Sequence, residues 1–385
     1  MDPFVFHAPT KINFGQGIAI SAIELLKELG SQRAVLITDK QLVKTDLVKS
    51  LIKEWQSQGS LFVFSDVLPD ANLTAVNDAA RLAKQEKCDG VIALGGGSVM
   101  DTAKVVNIIL AFGGNALEHQ GMNNIASRLL PSVAIPTTAG TGAEVSPVAM
   151  IKDDKEGKKL FFGSEFLAMS HAILDPELIV SLPARLTAAT GLDAITHCLE
   201  ALVVEGTSSP FTNALAMDAL RMLFNFLPEA KNNCQNMEAR SQTLVASTMA
   251  GMAFSSCGVG IVHALSHALG GQFSTHHGMT NAVLLPHGMR FNLSFAAQRY
   301  AQVARYLKLT ENTDDEIAAN ILIESLEKLI KTLGLPSNLR GLDVPELKSE
   351  KLAQLVALAS SDPAMIFNTR QATPDDIVEI YRNAY

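Results

Sequence analysis

Fixed charge is what this 385-residue chain has least of: Asp, Glu, Lys and Arg make up 18% of it, against roughly 25% in an average soluble domain. With hydrophobic residues at 48%, that shortage excludes a disordered or tail-like chain and leaves a globular one. A basic excess is missing as well. Lys and Arg total 31 against 39 Asp and Glu, a formal charge of −8 spread without blocks, so nucleic acid and anionic membranes find no electrostatic footprint. The expected partner is a small molecule.

Cysteine is scarce. Cys88, Cys198, Cys234 and Cys257 form no C-x-x-C pair, which argues against a disulfide framework and for reduced, mostly buried thiols. The start, Met1-Asp2-Pro3-Phe4, lacks the basic and apolar regions of a secretory signal, so a cytoplasmic setting is expected. No purely apolar run reaches the length of on the order of 18 residues that a membrane span needs. The nearest approach lies between Arg240 and Arg290, where 49 residues carry no Asp, Glu, Lys or Arg, yet Ser, Thr, Gln, Gly and five of the nine histidines interrupt it. A buried central helix, or a pair of helices, accounts for that stretch better than a membrane does. Histidines inside it need partners.

Up to about residue 180, short β-rich runs alternate with amphipathic stretches. The runs are Ala34 to Thr38, Leu61 to Phe64, Val91 to Leu94, Val133 to Ile135 and Ala172 to Leu174, and helices are predicted near 19–29, 41–58, 73–87 and 98–111. This alternation predicts an α/β nucleotide-binding domain over 1–182, a parallel sheet with helices on both faces. Asp153-Asp154-Lys155-Glu156-Gly157 reads as a hairpin turn within it. Beyond Leu182-Pro183 helical periodicity takes over, with Thr187, Asp193 and Glu200 set among apolar residues and an amphipathic pattern over 314–333, so 183–385 is expected to be all-α.

Two loops carry phosphate-binding chemistry. Gly95-Gly96-Gly97-Ser98 follows a strand and opens a helix containing Asp101 and Lys104, so side-chain-free backbone N–H groups lie at a helix N-terminus. Pro136 to Glu144, rich in Thr and Gly, follows the next strand and could face the first loop across a sheet crevice. Neither fits the G-x-G-x-x-G or P-loop fingerprint. Asp39 ends the strand Ala34 to Thr38, where a carboxylate can bind ribose hydroxyls and repel a 2′-phosphate, favouring NAD over NADP; a helix N-cap is the other reading. It precedes the glycine loop, opposite to the ordinary Rossmann order.

The second half supplies metal ligands. Asp193 and His197 lie four apart on one helix face, His263 and His267 repeat that spacing, and His277 follows. A divalent ion would satisfy a carboxylate and imidazoles that are otherwise costly to bury. Spacing alone leaves open whether His263, His267 or both are ligands.

In these residues the chain resembles the iron-containing, or group III, alcohol dehydrogenases. The resemblance runs from Pro9-Thr10-Lys11-Ile12-Asn13-Phe14-Gly15 through both loops, Ile173-Leu174-Asp175-Pro176, Gly191-Leu192-Asp193-Ala194 and His263 to Gly270, ending at His277-Gly278. It implies an α/β nucleotide domain followed by a helical metal domain, with the active site in the cleft between them. Asp193, His197, His263 and His277 would be the metal ligands, and His267 would stand beside the metal near the nicotinamide in a proton-relay role. The implied NAD contacts are Asp39, Gly96, Gly97, Ser98, Thr138 and Thr141, with Asp70, Ser146, Lys159 and Leu178. Ala143 stands where many members have Ser, and His276 where many have Pro; a solvent-facing loop position is expected for His276.

The resulting expectation is a metal-dependent oxidoreductase, with Fe²⁺ or Zn²⁺, that transfers hydride between NAD(H) and a small primary alcohol or aldehyde. By resemblance it would be a homodimer. A glycerol dehydrogenase-like Zn²⁺ enzyme, a metal-dependent cyclase or lyase of the dehydroquinate synthase type, and a non-catalytic nucleotide-binding module are the alternatives.

Overall fold

The five β-rich runs become neighbouring strands of one sheet in the computed structural model, which describes residues 3–156 and 158–385. Packing divides the chain into two units, His7–Leu182 and Pro183–Tyr385, the latter joined by the start of the chain up to Phe6.

The first unit runs β1 (Lys11–Phe14), α1 (Ala22–Glu28), β2 (Arg33–Ile37), α2 (Asp46–Gln58), β3 (Ser60–Phe64), α3 (Leu73–Gln85), β4 (Gly90–Gly95), α4 (Gly97–Phe112), β5 (Gly121–Met122), β6 (Ser132–Pro136), β7 (Val148–Asp153), β8 (Lys158–Gly163) and β9 (His171–Leu174). Strands β1, β9, β6, β4, β2 and β3 lie side by side in that order, parallel throughout. Alternate residues point to opposite faces. Val35, Ile37, Val91 and Ala93 join the core under α3 and α4, while Ala34, Leu36, Ile92 and Leu94 join the one under α1 and α2 that holds Trp55. Both faces being covered, β4, β6 and β9 are buried along their whole length.

The strand order reverses between β2 and β4: the chain proceeds from β2 outward to β3, then from β4 the other way to β6 and β9. Three adjacent parallel strands, β2, β4 and β6, therefore end at one edge of the sheet, at the topological switch point. Asp39 and both small-residue loops leave from that edge.

Local chemistry explains where the boundaries depart from expectation. The helix expected from residue 41 begins at Asp46, because Thr45 adopts extended backbone and its hydroxyl accepts the Val48 N–H. Strands β7 and β8 form an antiparallel hairpin with β5 beside β8, and Asp153 Oδ1 accepts the Lys155 and Glu156 N–H groups at its turn. Gly157, placed in that turn by the sequence, lies outside the described residues. The edge strand β1 alternates over only four, largely exposed residues, and β5 is only two residues long, so neither carried a run that would have marked it.

A lysine is sealed inside this unit. Lys104, on α4, is fully buried, and its Nζ donates to Ser146 O at 2.8 Å, Ser146 Oγ at 3.1 Å and Val148 O at 2.8 Å. It fastens α4 to the segment that continues the second loop. Burial pulls its pKa down to about 8 against the opposing pull of the Asp101 and Glu144 carboxylates.

The second unit comprises α5 (Ala184–Ala201), α6 (Pro210–Asn232), α7 (Met237–Cys257), α8 (Ile261–Phe273), α9 (His277–Tyr306), α10 (Asp315–Thr332), α11 (Ser349–Ser360), α12 (Ala364–Phe367) and α13 (Pro374–Ala384). Phe4 and Phe6 pack on Phe211 of α6, with ring centroids 5.9 and 5.3 Å apart, so these two residues belong with the helices. Helix α5 has almost no solvent face, since 15 of its 18 residues are buried. The charge-free stretch supplies most of α7, all of α8 and the start of α9. Helices α7 and α8 meet at 101°, and no single helix among the described residues is long and apolar enough to cross a membrane. The bend falls at Gly258, whose φ of +86° favours glycine, and at Gly260, where a Cβ would come within 2.7 Å of Asn368 Oδ1.

Lys104→Met removes the donor from two buried carbonyls and the counter-charge from Asp101, so it should cost about 3 kcal/mol in urea unfolding. Wild-type stability should also rise with pH between about 8 and the ordinary lysine value of 10.5, where the unfolded chain still binds the proton that folded Lys104 has released. The variant should lose that rise. A cost under about 0.5 kcal/mol with the rise intact would show that the buried ammonium is not what fastens the loop.

Candidate functional site

In the helical unit, α5 presents Asp193, His197 one turn later, and Glu200 a further turn along the same side. Helix α8 presents His263 and His267, and α9 begins at His277. One ligating atom each from Asp193, His263 and His277 lies within 4.8 Å of the other two. Asp193 Oδ1 is 3.8 Å from His263 Nε2 and 3.5 Å from His277 Nε2. These spacings are long for direct hydrogen bonds but near the edge of a tetrahedron, about 3.4 Å, built on metal–ligand bonds of about 2.1 Å.

The same three atoms converge on one point, marked by the Asn281 amide: its Nδ2 lies 2.7 Å from Asp193 Oδ1, 3.3 Å from His263 Nε2 and 3.2 Å from His277 Nε2. Asn281 Oδ1 is buried without a hydrogen-bond partner, and turning the amide over would aim it at that point too. A divalent cation therefore fits the donor set. Burial, with Glu200 adding to it, pushes Asp193 up to about 6 against the opposing effects of His263 and Asn281. Burial also opposes a charge on His263, but the Glu200, Asp193 and Asp362 carboxylates together outweigh it and raise that pKa. A cation would supply the positive charge this pocket draws toward itself.

His197 stands beside this trio. Its ring stacks on His263, with centroids 4.6 Å apart, and on Phe254 at 4.3 Å. His276 is exposed at the N-cap of α9, outside the group of three. His267 takes a different position from His263: its Nδ1 donates to Asp362 Oδ2 at 2.8 Å, and its ring stacks on that of His277 at 5.4 Å. The structure thus separates two histidines that spacing could not rank. Only His263 brings a nitrogen into the group of three.

Glu200, Asn281 and Asp362 were not recognised as site residues in the sequence. Glu200 carried a usable signal, a carboxylate seven residues after Asp193 in an otherwise apolar helix, and so did Asn281, one turn after His277. Asp362 meets His267 across 95 residues and carried none.

In the α/β unit the two small-residue loops do face each other. A Cβ on Gly96 would lie 3.2 Å from Thr138 Cγ2, and one on Gly97 would lie 2.9 Å from Thr141 Cγ2. The N-terminus of α4 has no side-chain cap, so its first N–H groups stay open to an anion. Ser98 Oγ accepts the Asp70 N–H at 3.0 Å, and Lys159 Nζ pairs with Asp70 Oδ1 at 2.7 Å, so these three expected residues assemble at the same helix end. Ser146 is instead buried, its hydroxyl held by Lys104. Asp39 Oδ1 accepts the Gln41 and Leu42 N–H groups, a local turn that holds its carboxylate at the end of β2, while Thr45 caps α2. Leu178 and Thr137 help line a cavity of about 300 Å³ with Leu42, Thr45 and Val48.

Comparison with known proteins places these sites in context. Residues 9–176 match the family model described as iron-containing alcohol dehydrogenase, and residues 187–385 match the C-terminal model of the Fe-containing alcohol dehydrogenase family. The chain is 36% identical to the NAD-dependent methanol dehydrogenase of Bacillus methanolicus, over 98% of this chain and 99% of that one. It is 35% identical to the 1,3-propanediol dehydrogenase of Citrobacter freundii, over 97% of each. The crystal structure of a 1,3-propanediol oxidoreductase superposes with a TM-score of 0.95 over 100% of both chains at 33% identity.

His263→Ala and His277→Ala should each weaken metal binding by about 100-fold or more, whereas His267→Ala should keep its metal. Metal content after dialysis against a chelator is the readout. Metal lost from His267→Ala but retained by His263→Ala would reverse the two assignments.

Proposed function

The chain belongs to the iron-containing alcohol dehydrogenase family, a class of NAD-dependent alcohol and aldehyde oxidoreductases, and from that premise we propose that it interconverts a small primary alcohol and its aldehyde using Fe²⁺. The observation that carries the metal assignment is the convergence of Asp193 Oδ1, His263 Nε2 and His277 Nε2 on one point. His197 would complete the set from its place one turn along α5. Carboxylate and imidazole donors suit Zn²⁺ as well, so the choice of iron rests on the family. When bound, the ion supplies Lewis-acid polarisation of the substrate oxygen, and NAD(H) accepts or delivers the hydride.

The chain's own groups do the rest. Asp362 accepts only, so His267 carries its proton on Nδ1 and leaves Nε2 free to take up the alcohol proton. Open N–H groups at the start of α4, with the Thr138 and Thr141 hydroxyls, hold the pyrophosphate, while the Asp39 carboxylate takes the ribose hydroxyls. The cavity beside Leu178 and Thr137 suits the adenosine end. Short substrates are supported by the methanol and 1,3-propanediol activities for which the relatives are named. A homodimer belongs to the same reading, supported by Ile12 and Phe14, which lie 39% and 51% exposed on the edge strand β1, as does a cytoplasmic setting.

The test is elemental analysis of anaerobically purified protein, followed by NADH absorbance with a panel of short aldehydes and alcohols. Bound iron and net NADH oxidation by a short aldehyde are expected. Bound metal with no net change for any of them would favour the cyclase or lyase alternative.

Asp39→Asn keeps the local turn, because the amide oxygen still accepts, but removes the charge that repels a 2′-phosphate. The ratio of kcat/KM for NAD over NADP should fall by about tenfold or more with the thermal midpoint unchanged, a loss of roughly 1.4 kcal/mol of discrimination. An unchanged ratio would leave Asp39 a turn residue alone.

A further inference from the structure

Helix α8 has no side-chain cap of its own, since Gly260 occupies the N-cap. Two distant side chains satisfy its first N–H groups instead. Asn368 Oδ1 accepts from Ile261 at 3.1 Å, and Glu200 Oε1 accepts from Val262 at 2.6 Å. The other oxygen of the same carboxylate, Oε2, lies 2.5 Å from Nδ1 of His263. Glu200 is only 3% exposed, so no solvent competes for either oxygen.

We infer that Glu200 is a positioning residue that fixes the tautomer of His263, holding its proton on Nδ1 so that the Nε2 lone pair is free to bind a metal. The inference rests on the metal reading above. The Val262 N–H is a backbone donor whose place is set by the helix, so it commits Oε1. An ionised carboxylate has no proton to give, so Oε2 accepts from Nδ1, and neutral imidazole then carries its lone pair on Nε2. Nε2 faces Asp193 and His277, where that lone pair is useful. Glu200 thereby joins α5 to α8 and sets the chemistry of a ligand in one contact.

Glu200→Gln is the informative change, because it keeps size and shape but replaces one acceptor by a donor. The amide oxygen must serve Val262, since the opposite orientation would set two N–H donors against each other. The amide NH₂ then faces Nδ1 and demands its lone pair, which moves the imidazole proton to Nε2. There it occupies the ligating position facing Asp193 and blocks coordination. A purely structural role for Glu200 predicts no such exchange.

The experiment compares wild type and Glu200→Gln by metal affinity, titrating Fe²⁺ and Zn²⁺ into chelator-treated protein, and by ¹⁵N histidine spectra of the same metal-free samples. The expected result is a protein of unchanged circular dichroism whose metal affinity is about 10- to 100-fold weaker, with the His263 proton moved from Nδ1 to Nε2. Equal affinity, or a proton already on Nε2 in the wild type, would overturn the inference. If Glu200→Gln fails to fold, the wild-type spectrum alone still decides the tautomer. If wild type itself takes up no metal, the metal reading fails while the spectra continue to test the role of Glu200.

Discussion

Two carboxylates on one buried helix, Asp193 and Glu200, share the single imidazole of His263, and much of the helical unit is arranged to make that possible. Burying a carboxylate is tolerable only where donors or a cation meet it, and α5 has almost no solvent face to offer. Donors must come from other helices. Gly258 and Gly260 let α8 turn away from α7 by 101° so that its N-terminus meets Glu200. Gly278 lets α9 press against α5, since a Cβ there would lie 2.3 Å from Ala189 O, and that contact brings His277 and Asn281 to Asp193. The run of 49 residues without Asp, Glu, Lys or Arg belongs to the same design. Side chains that could not satisfy the site, or that would compete for its charges, are kept out of the helices around it.

The α/β unit solves a different electrostatic problem with backbone alone. It lacks the usual glycine fingerprint, and its acid precedes the glycines in sequence. Sheet order explains how the same parts still come together: β2 and β4 are neighbours across the switch point, so Asp39 and Gly96 leave one edge side by side whichever comes first in the chain. Glycine at 96 and 97 does double duty, exposing N–H groups and leaving room for the threonines of the facing loop. Lys104 supports the arrangement from below by gripping the segment that continues that loop.

What the sequence made legible was mostly local. Short continuous β-rich runs located β2, β3, β4, β6 and β9, because both faces of that sheet are covered, and spacing at three and four residues located α5 and α10. Asp193 with His197, and His263 with His267, were visible as helix-face pairs. The choice between His263 and His267 was not, because it depends on how α8 is rotated toward α5, a matter of tertiary packing. The partners of residues that act across the fold were also hidden. Glu200 stood out as a carboxylate in an apolar helix, but it meets His263 across 63 residues, as Lys104 meets Ser146 across 42, so nothing in the immediate neighbourhood announces either contact. The edge strand β1 escaped notice for the opposite reason: its side chains are largely exposed and carry no core pattern.

If the metal ion and the dinucleotide have the separate roles assigned to them, removing the ion should abolish hydride transfer without abolishing NADH binding, since the two sites are built from different residues. The direct measurement is NADH fluorescence titration and single-turnover reduction of a short aldehyde, made on one preparation as purified, after chelation, and after Fe²⁺ is restored. NADH affinity should stay unchanged throughout, with turnover lost on chelation and recovered with iron. Full turnover in protein shown to be free of metal would contradict these separate roles.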